Sequence, residues 1–290
     1  MSIPALFIFF YNEAKDRYGG IHLKTVLLVV LWSLLVIILA AVLLFIFMWI
    51  ISLFVDDSKE YEKKSKFHWF LLLLASDITF WFARIHIHVT GKENLPKDGR
   101  YLIVTNHRSK FDPIITWSVL REQYPACISK KENFKVPVFG RIIRRCCFMA
   151  IDRENPRNAM VTINKAARLI ENDECSVAVW PEGTRSKNKQ LLPFHNGVFK
   201  IAHKAKVPVV IVAIDGTENI AKNFPLRGTD VSFDILETIP ADFVSTHKTS
   251  EIGDIVRERI IEHLPEATPI NPEATTILHH QLVHEEVDTP

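Results

Sequence analysis

His107 and Asp112 stand five residues apart in Thr105-Asn106-His107-Arg108-Ser109-Lys110-Phe111-Asp112-Pro113, directly after the apolar run 101–104. An imidazole beside a carboxylate makes a general base: the carboxylate holds one ring nitrogen and the other takes a proton from a hydroxyl. In a continuous helix a spacing of five leaves the two residues on different faces. A loop must therefore bring them together, and Pro113 disfavours helical geometry at Asp112. Apolar run, polar loop and Asp-Pro read as strand, turn and helix start. Asp112 before Pro113 also suits an N-cap and N1 pair for a helix over 113–123, which leaves His107 as an ordinary turn histidine. Both readings stand at this point.

A second block, Val179-Trp180-Pro181-Glu182-Gly183-Thr184-Arg185-Ser186, follows another short apolar run. Gly183 permits positive φ or close backbone approach, and Arg185 offers a planar fork suited to a phosphate. The bland alternative is a turn carrying a solvated arginine. Between the two blocks, Ser129-Lys130-Lys131-Glu132 and Ala150-Ile151-Asp152-Arg153 place Lys130 and Arg153 at the ends of neighbouring candidate strands. Ligands of open α/β sheets gather at strand ends. Three cations and a His–Asp pair then suit an anionic substrate that carries a nucleophilic hydroxyl.

These residues need a scaffold, and the pattern after residue 84 supplies one. Candidate strands fall at 85–89, 101–105, 126–129, 147–151, 176–180, 207–214 and 231–236. Candidate helices fall at 113–123, 138–145, 157–172, 196–206 and 250–264. Strands interleaved with helices of this length predict an α/β fold, a mixed sheet flanked by helices. The runs at 176–180 and 207–214 read as central strands. The predicted organisation is a membrane-anchoring region over 1–83, a sheet domain over 84–265 and a flexible tail over 266–290. The tail histidines His279, His280 and His284 lack the further ligands that a metal site needs. Arg141, Arg144 and Arg145 share one helix face, suited to anionic headgroups or to solvent.

The anchoring prediction rests on 25–55, which contains no charge, glycine or proline. That is far beyond the ~18 apolar residues a membrane helix requires. At about 1.5 Å per residue, roughly 31 residues reach about 46 Å against ~30 Å of hydrocarbon, so the helix must tilt, protrude or break into a hairpin. A second apolar stretch, 68–83, is short, aromatic and interrupted by Asp77, and suits the membrane interface, with a buried core helix as the alternative. Lys15, Arg17 and Lys24 precede the long segment, and Lys59, Lys63, Lys64 and Lys66 follow it, a slight positive-inside bias toward the C-terminal side. The net charge of +2 gives no global reason to expect nucleic-acid binding. Cys127, Cys146, Cys147 and Cys175 form no C-x-x-C pair and read as reduced thiols of a cytosol-facing domain.

The ordered blocks N-H-x-x-x-x-D, K-x-E with P-x-x-G and I-D-R, then P-E-G-T-R-S resemble the 1-acylglycerol-3-phosphate O-acyltransferases of phospholipid synthesis. The resemblance covers about residues 84–214. It implies that His107 is the base and Asp112 its orienting partner. It further implies that Lys130, Arg153 and Arg185 hold the phosphate of lysophosphatidic acid, and that Glu182, Gly183 and Thr184 shape that pocket. The implied donor is acyl-CoA or acyl carrier protein, a co-substrate, with no metal or resident cofactor. The implied acceptor is a lysophospholipid, taken from membrane lipids, and the donor places the catalytic domain on the cytoplasmic face. Oxyanion donors are expected among backbone N–H groups near the 107 or 183 loops. Ile211 departs from the pattern where a second proline is usual, and His195-Asn196 where a more basic pair is common. The first departure keeps a different lysolipid acceptor in play. A non-catalytic membrane lipid-binding protein is the remaining alternative, though such a module has no need of a base.

Overall fold

The computed structural model describes residues 3–152 and 155–267. In chain order the helices and strands are α1 (Ile3–Leu53), α2 (Lys66–Ala83), β1 (Ile85–Thr90), β2 (Leu102–Thr105), α3 (Phe111–Val119), β3 (Ala126–Lys130), α4 (Phe139–Arg145), β4 (Met149–Ile151), α5 (Pro156–Glu171), β5 (Val177–Val179), α6 (Lys200–Ala205), β6 (Val209–Asp215), α7 (Ile220–Asn223), β7 (Thr229–Ile239), α8 (Ala241–Thr246) and α9 (Thr249–His263). The chain divides into two compact units, residues 1–54 and 55–290.

The first unit is the helix α1. Its segment Lys24–Leu53, 30 residues, is long and apolar enough to cross a membrane. Apolar side chains are exposed all round it, from Val26 to Phe54, the pattern of a helix whose solvent is lipid rather than water. The helix is continuous through this stretch, so the hairpin alternative is not adopted.

The second unit is built on a seven-stranded sheet of order β1-β7-β6-β2-β5-β3-β4. Five neighbours, β6, β2, β5, β3 and β4, run parallel; β7 runs antiparallel to β6, and β1 pairs parallel to β7. The central strands are buried along their length, including Leu102 to Val104, Val177 to Val179 and Val209 to Ile214. Such continuous Val/Ile runs suit strands covered on both faces. Helix α2 packs against α3 and α4, and α5 packs against α6. The seven strands lie where the alternation of apolar runs predicts them, with β7 longer at both ends. The helix expected over 196–206 is a 3-10 turn at Asn196–Phe199 followed by α6.

Helix α2 divides its residues by face. Trp69, Leu71, Leu72 and Ser76 are buried, and the Trp117 indole donates to the Ser76 hydroxyl at 2.9 Å. Phe67, Phe70, Ile78, Trp81 and Phe82 are exposed. The segment read as an interfacial helix thus packs one face on the sheet unit and presents an apolar opposite face. The predicted tail lies almost wholly outside the described residues, as do its three histidines.

Candidate active site

The parallel strands deliver the chemistry-bearing residues to one edge. His107 follows β2, Lys130 ends β3, Asp152 follows β4, Glu182 follows β5 and Asp215 ends β6. Because these five strands run in one direction, all five positions fall at their carboxyl ends, where open α/β sheets bind ligands.

The His–Asp pair forms. Asp112 Oδ2 lies 2.7 Å from His107 Nδ1, with the Asp112 side chain 1% exposed and His107 18% exposed. The same carboxylate oxygen accepts the backbone N–H groups of Arg108 at 2.6 Å and Ser109 at 2.7 Å. The other, Oδ1, accepts the Thr217 hydroxyl at 2.5 Å. An Asp carboxylate accepts the Nδ1 proton, which leaves the lone pair on Nε2. The imidazole also packs beside Trp180, with ring centroids 5.6 Å apart.

One local expectation is corrected. Asp112 is not the N-cap of its helix; Lys110 takes that position and α3 starts at Phe111. Pro113 is tolerated because the third helical N–H has no intrahelical partner to lose. The four contacts on the Asp112 carboxylate outweigh the pre-proline preference for extended backbone. What fixes this carboxylate is the loop that it folds around itself.

Neighbouring residues hold that loop in place. Asn106 exchanges two hydrogen bonds with Ile214 of β6: its amide donates to the Ile214 carbonyl and its side-chain oxygen accepts the Ile214 N–H, each at 2.8 Å. Arg108 is buried and bonds Asp215, with further contacts to Glu266 at 3.4 Å and the Lys189 carbonyl at 3.3 Å. Lys189 in turn pairs with Glu218 at 2.8 Å.

Glu182 acts as a tie between loops. Its Oε1 accepts the His107 N–H at 2.6 Å, and its Oε2 accepts the Leu192 N–H at 2.9 Å. Burial pushes its carboxyl up to about 8, opposed by these two amides. Gly183 has φ +71, and a Cβ there would come within 2.9 Å of the His195 ring. Its glycine is therefore needed both for backbone freedom and for space. Ser186 N–H returns to the His107 carbonyl at 2.9 Å. Thr184 is half-buried on the same loop.

The expected cations are distributed unevenly. Lys130 is half-buried, in register with Ile151 of β4. Arg185 is exposed on the loop that Glu182 anchors. Arg153 lies outside the described residues. Beside Lys130, Lys131 pairs with Asp152 at 2.8 Å. Hydrogen bonds from Lys131 and Asn158 hold the Asp152 carboxyl down at about 2. The expectation for oxyanion donors narrows: the N–H groups of His107, Arg108, Ser109, Gly183 and Ser186 already have acceptors.

Sequence reasoning missed Thr217, Asn106 and the Arg108–Asp215 pair. A usable signal existed for the first: Gly216-Thr217 follows the run 207–214 with only Asp215 between, so it shares the strand-end edge with His107.

Ile211 is fully buried in β6, opposite Val104, and the β6–β7 ladder shifts register between Ile211 and Val212. The departure from the proline pattern thus coincides with a bulge, where loss of a ladder N–H is tolerated.

The chain matches the family described as Acyltransferase over residues 86–215, from within β1 to the end of β6. The 1-acyl-sn-glycerol-3-phosphate acyltransferase of Cocos nucifera is 29% identical over 64% of this chain and 60% of its own length. The enzyme of the same name from Haemophilus influenzae is 31% identical over 48% of this chain and 60% of its own. The chain thus spans 60% of the length of each of these two relatives. The crystal structure of the 1-acyl-sn-glycerophosphate (LPA) acyltransferase PlsC from Thermotoga maritima aligns with a TM-score of 0.59 at 25% identity, covering 82% of this chain and 95% of that one.

Proposed function

We infer, from the match to the acyltransferase family over residues 86–215, that this chain moves a fatty acyl group from a thioester to the sn-2 hydroxyl of lysophosphatidic acid, giving phosphatidic acid. The observation that carries the reading is the buried Asp112 carboxylate on His107 Nδ1 at the carboxyl edge of the parallel strands. The names of the relatives support the acceptor.

In this reading Nε2 of His107 accepts the proton as the acceptor oxygen attacks the thioester carbonyl. A new oxygen–carbon bond forms, the carbon–sulfur bond breaks, and the imidazolium returns its proton to the departing thiolate. General-base assistance of this kind is worth roughly 10²–10⁴-fold. Asp112 fixes the tautomer and stabilises the imidazolium between the two steps. Lys130, Arg153 and Arg185 are assigned to the acceptor phosphate, and Glu182 and Gly183 to the shape of the loop that carries Arg185. Acyl-CoA or acyl carrier protein serves as co-substrate. The apolar stretch of α1 anchors the catalytic unit at the cytoplasmic face, where both the donor and the lipid acceptor are within reach.

The test is a panel of purified lysolipids offered to the full chain with acyl-CoA and with acyl carrier protein, read by thiol release. A marked preference for lysophosphatidic acid supports the assignment. Equal or better use of an acceptor without the phosphomonoester overturns it in favour of another lysolipid, the outcome that Ile211 leaves open.

A further inference from the structure

The most exposed large apolar side chain described in the sheet unit is Leu226, 85% exposed, on the loop between α7 and β7. Every residue from Phe224 to Gly228 is exposed. The loop presents phenylalanine, proline and leucine to water. Its neighbours suggest what it meets. The Phe224 ring lies 5.4 Å from the Phe82 ring at the end of α2, and the Arg84 guanidinium donates to the Pro225 carbonyl. The loop therefore continues the exposed apolar face that Phe70, Ile78, Trp81 and Phe82 form along α2.

Cations outnumber unpaired acids around this surface. Arg84, Lys222 and Arg227 are exposed at its rim. Of the nearby acids, Asp77 is paired with Arg121 at 3.0 Å, and Asp230 makes a hydrogen bond with His88 at 2.9 Å. Aromatic and aliphatic side chains ringed by cations fit a lipid surface, where the apolar tips enter the acyl boundary and the cations reach phosphates.

We propose that the Phe224–Arg227 loop is a second membrane-insertion element, which seats the sheet unit on a bilayer bearing anionic phosphates alongside the exposed face of α2. This surface is independent of the α1 anchor and of the acyl-transfer reaction. It limits the ways in which the catalytic edge can face the lipid surface.

The four native cysteines are buried, so one added surface cysteine can be labelled selectively. Leu226→Cys in the full-length chain, carrying an environment-sensitive fluorophore, is reconstituted into nanodiscs of phosphatidylcholine with phosphatidylglycerol. Lys97→Cys, exposed elsewhere on the same unit, serves as the aqueous reference. The expected result is blue-shifted emission at 226 and several-fold stronger quenching by lipids brominated high on the acyl chain than at 97. Replacing Arg227 and Lys222 by Glu should reduce that quenching, as should pure phosphatidylcholine. Iodide quenching at 226 equal to that at 97, with no effect of brominated lipid, overturns the proposal. Protection from both quenchers also overturns it, because it means that protein covers the loop. None of these readouts requires acyl transfer, so the insertion element and the proposed function can fail separately.

Discussion

The Thr217 hydroxyl donates to Asp112 Oδ1 at 2.5 Å, while Asp112 Oδ2 holds the His107 ring. Thr217 is fully buried and reaches its place because Gly216 turns the chain at φ +87. The base is thus aligned through a carboxylate fixed from both sides, by its own loop and by the end of β6. Thr217→Val keeps the shape and removes the donor, leaving a buried oxygen short of a partner at a cost of about 1–3 kcal/mol. The expected outcome is a fall in kcat with little change in KM and a lower Tm, with Thr217→Ser restoring both. Steady-state kinetics beside thermal denaturation decide it. Unchanged kcat in the Val variant means that the loop alone orients Asp112.

His107→Ala should remove roughly 10²–10⁴-fold of the transfer rate and leave membrane association intact. Thiol release measured on reconstituted protein tests the first part, and flotation with vesicles the second. Wild-type turnover in this variant would falsify the mechanism.

Glu182 predicts a pH dependence of stability. Its carboxyl is raised from 4.5 to about 8 by burial, so between these values the folded state binds a proton that the unfolded state releases. Stability from this group is complete below about 4.5 and falls as pH rises toward about 8, by about 1.4 kcal/mol per pH unit within that window. Denaturant titrations from pH 5 to 9 should show the slope, and Glu182→Gln should flatten it. A slope unchanged in Glu182→Gln assigns it to other groups.

Arg185→Ala should raise KM for lysophosphatidic acid while sparing the acyl donor and the Tm, since the side chain is exposed. An acceptor KM equal to wild type would take Arg185 out of the phosphate site.

Gly183→Ala should lower stability by about 1 kcal/mol or more, because an L-residue at φ +71 is strained and its Cβ meets the His195 ring. Urea denaturation gives the measurement. A neutral effect would show that the Arg185 loop relaxes freely.

Much of this was readable from local pattern. The seven strands announce themselves as β-branched runs between polar turns. His107 and Asp112 meet as the strand–loop–helix reading requires. The misplaced N-cap has a physical cause: Asp-Pro is a common helix opening, and the sequence does not reveal that two loop amides and Thr217 claim the carboxylate instead. Partners distant along the chain were invisible for a simpler reason. Asn106 bonds Ile214, Arg108 bonds Asp215 and Asp112 bonds Thr217 across 105 to 108 residues, and no periodicity encodes such pairings. Only the topology β6–β2 makes them neighbours. Glu182 shows the same limit, since its position in the loop does not reveal the amides of His107 and Leu192 as its partners.

Strand β1 follows the helices α1 and α2, yet its partner β7 is made near the end of the described chain: Thr90 bonds Asp234, 144 residues away. During synthesis α1 and α2 therefore leave the ribosome long before the strand that follows them can pair. The first strand waits without its ladder until β7 arrives and joins it to β6. A nascent chain halted before residue 229 would carry β1 unpaired and β6 without its antiparallel neighbour, a state exposed to proteases and chaperones.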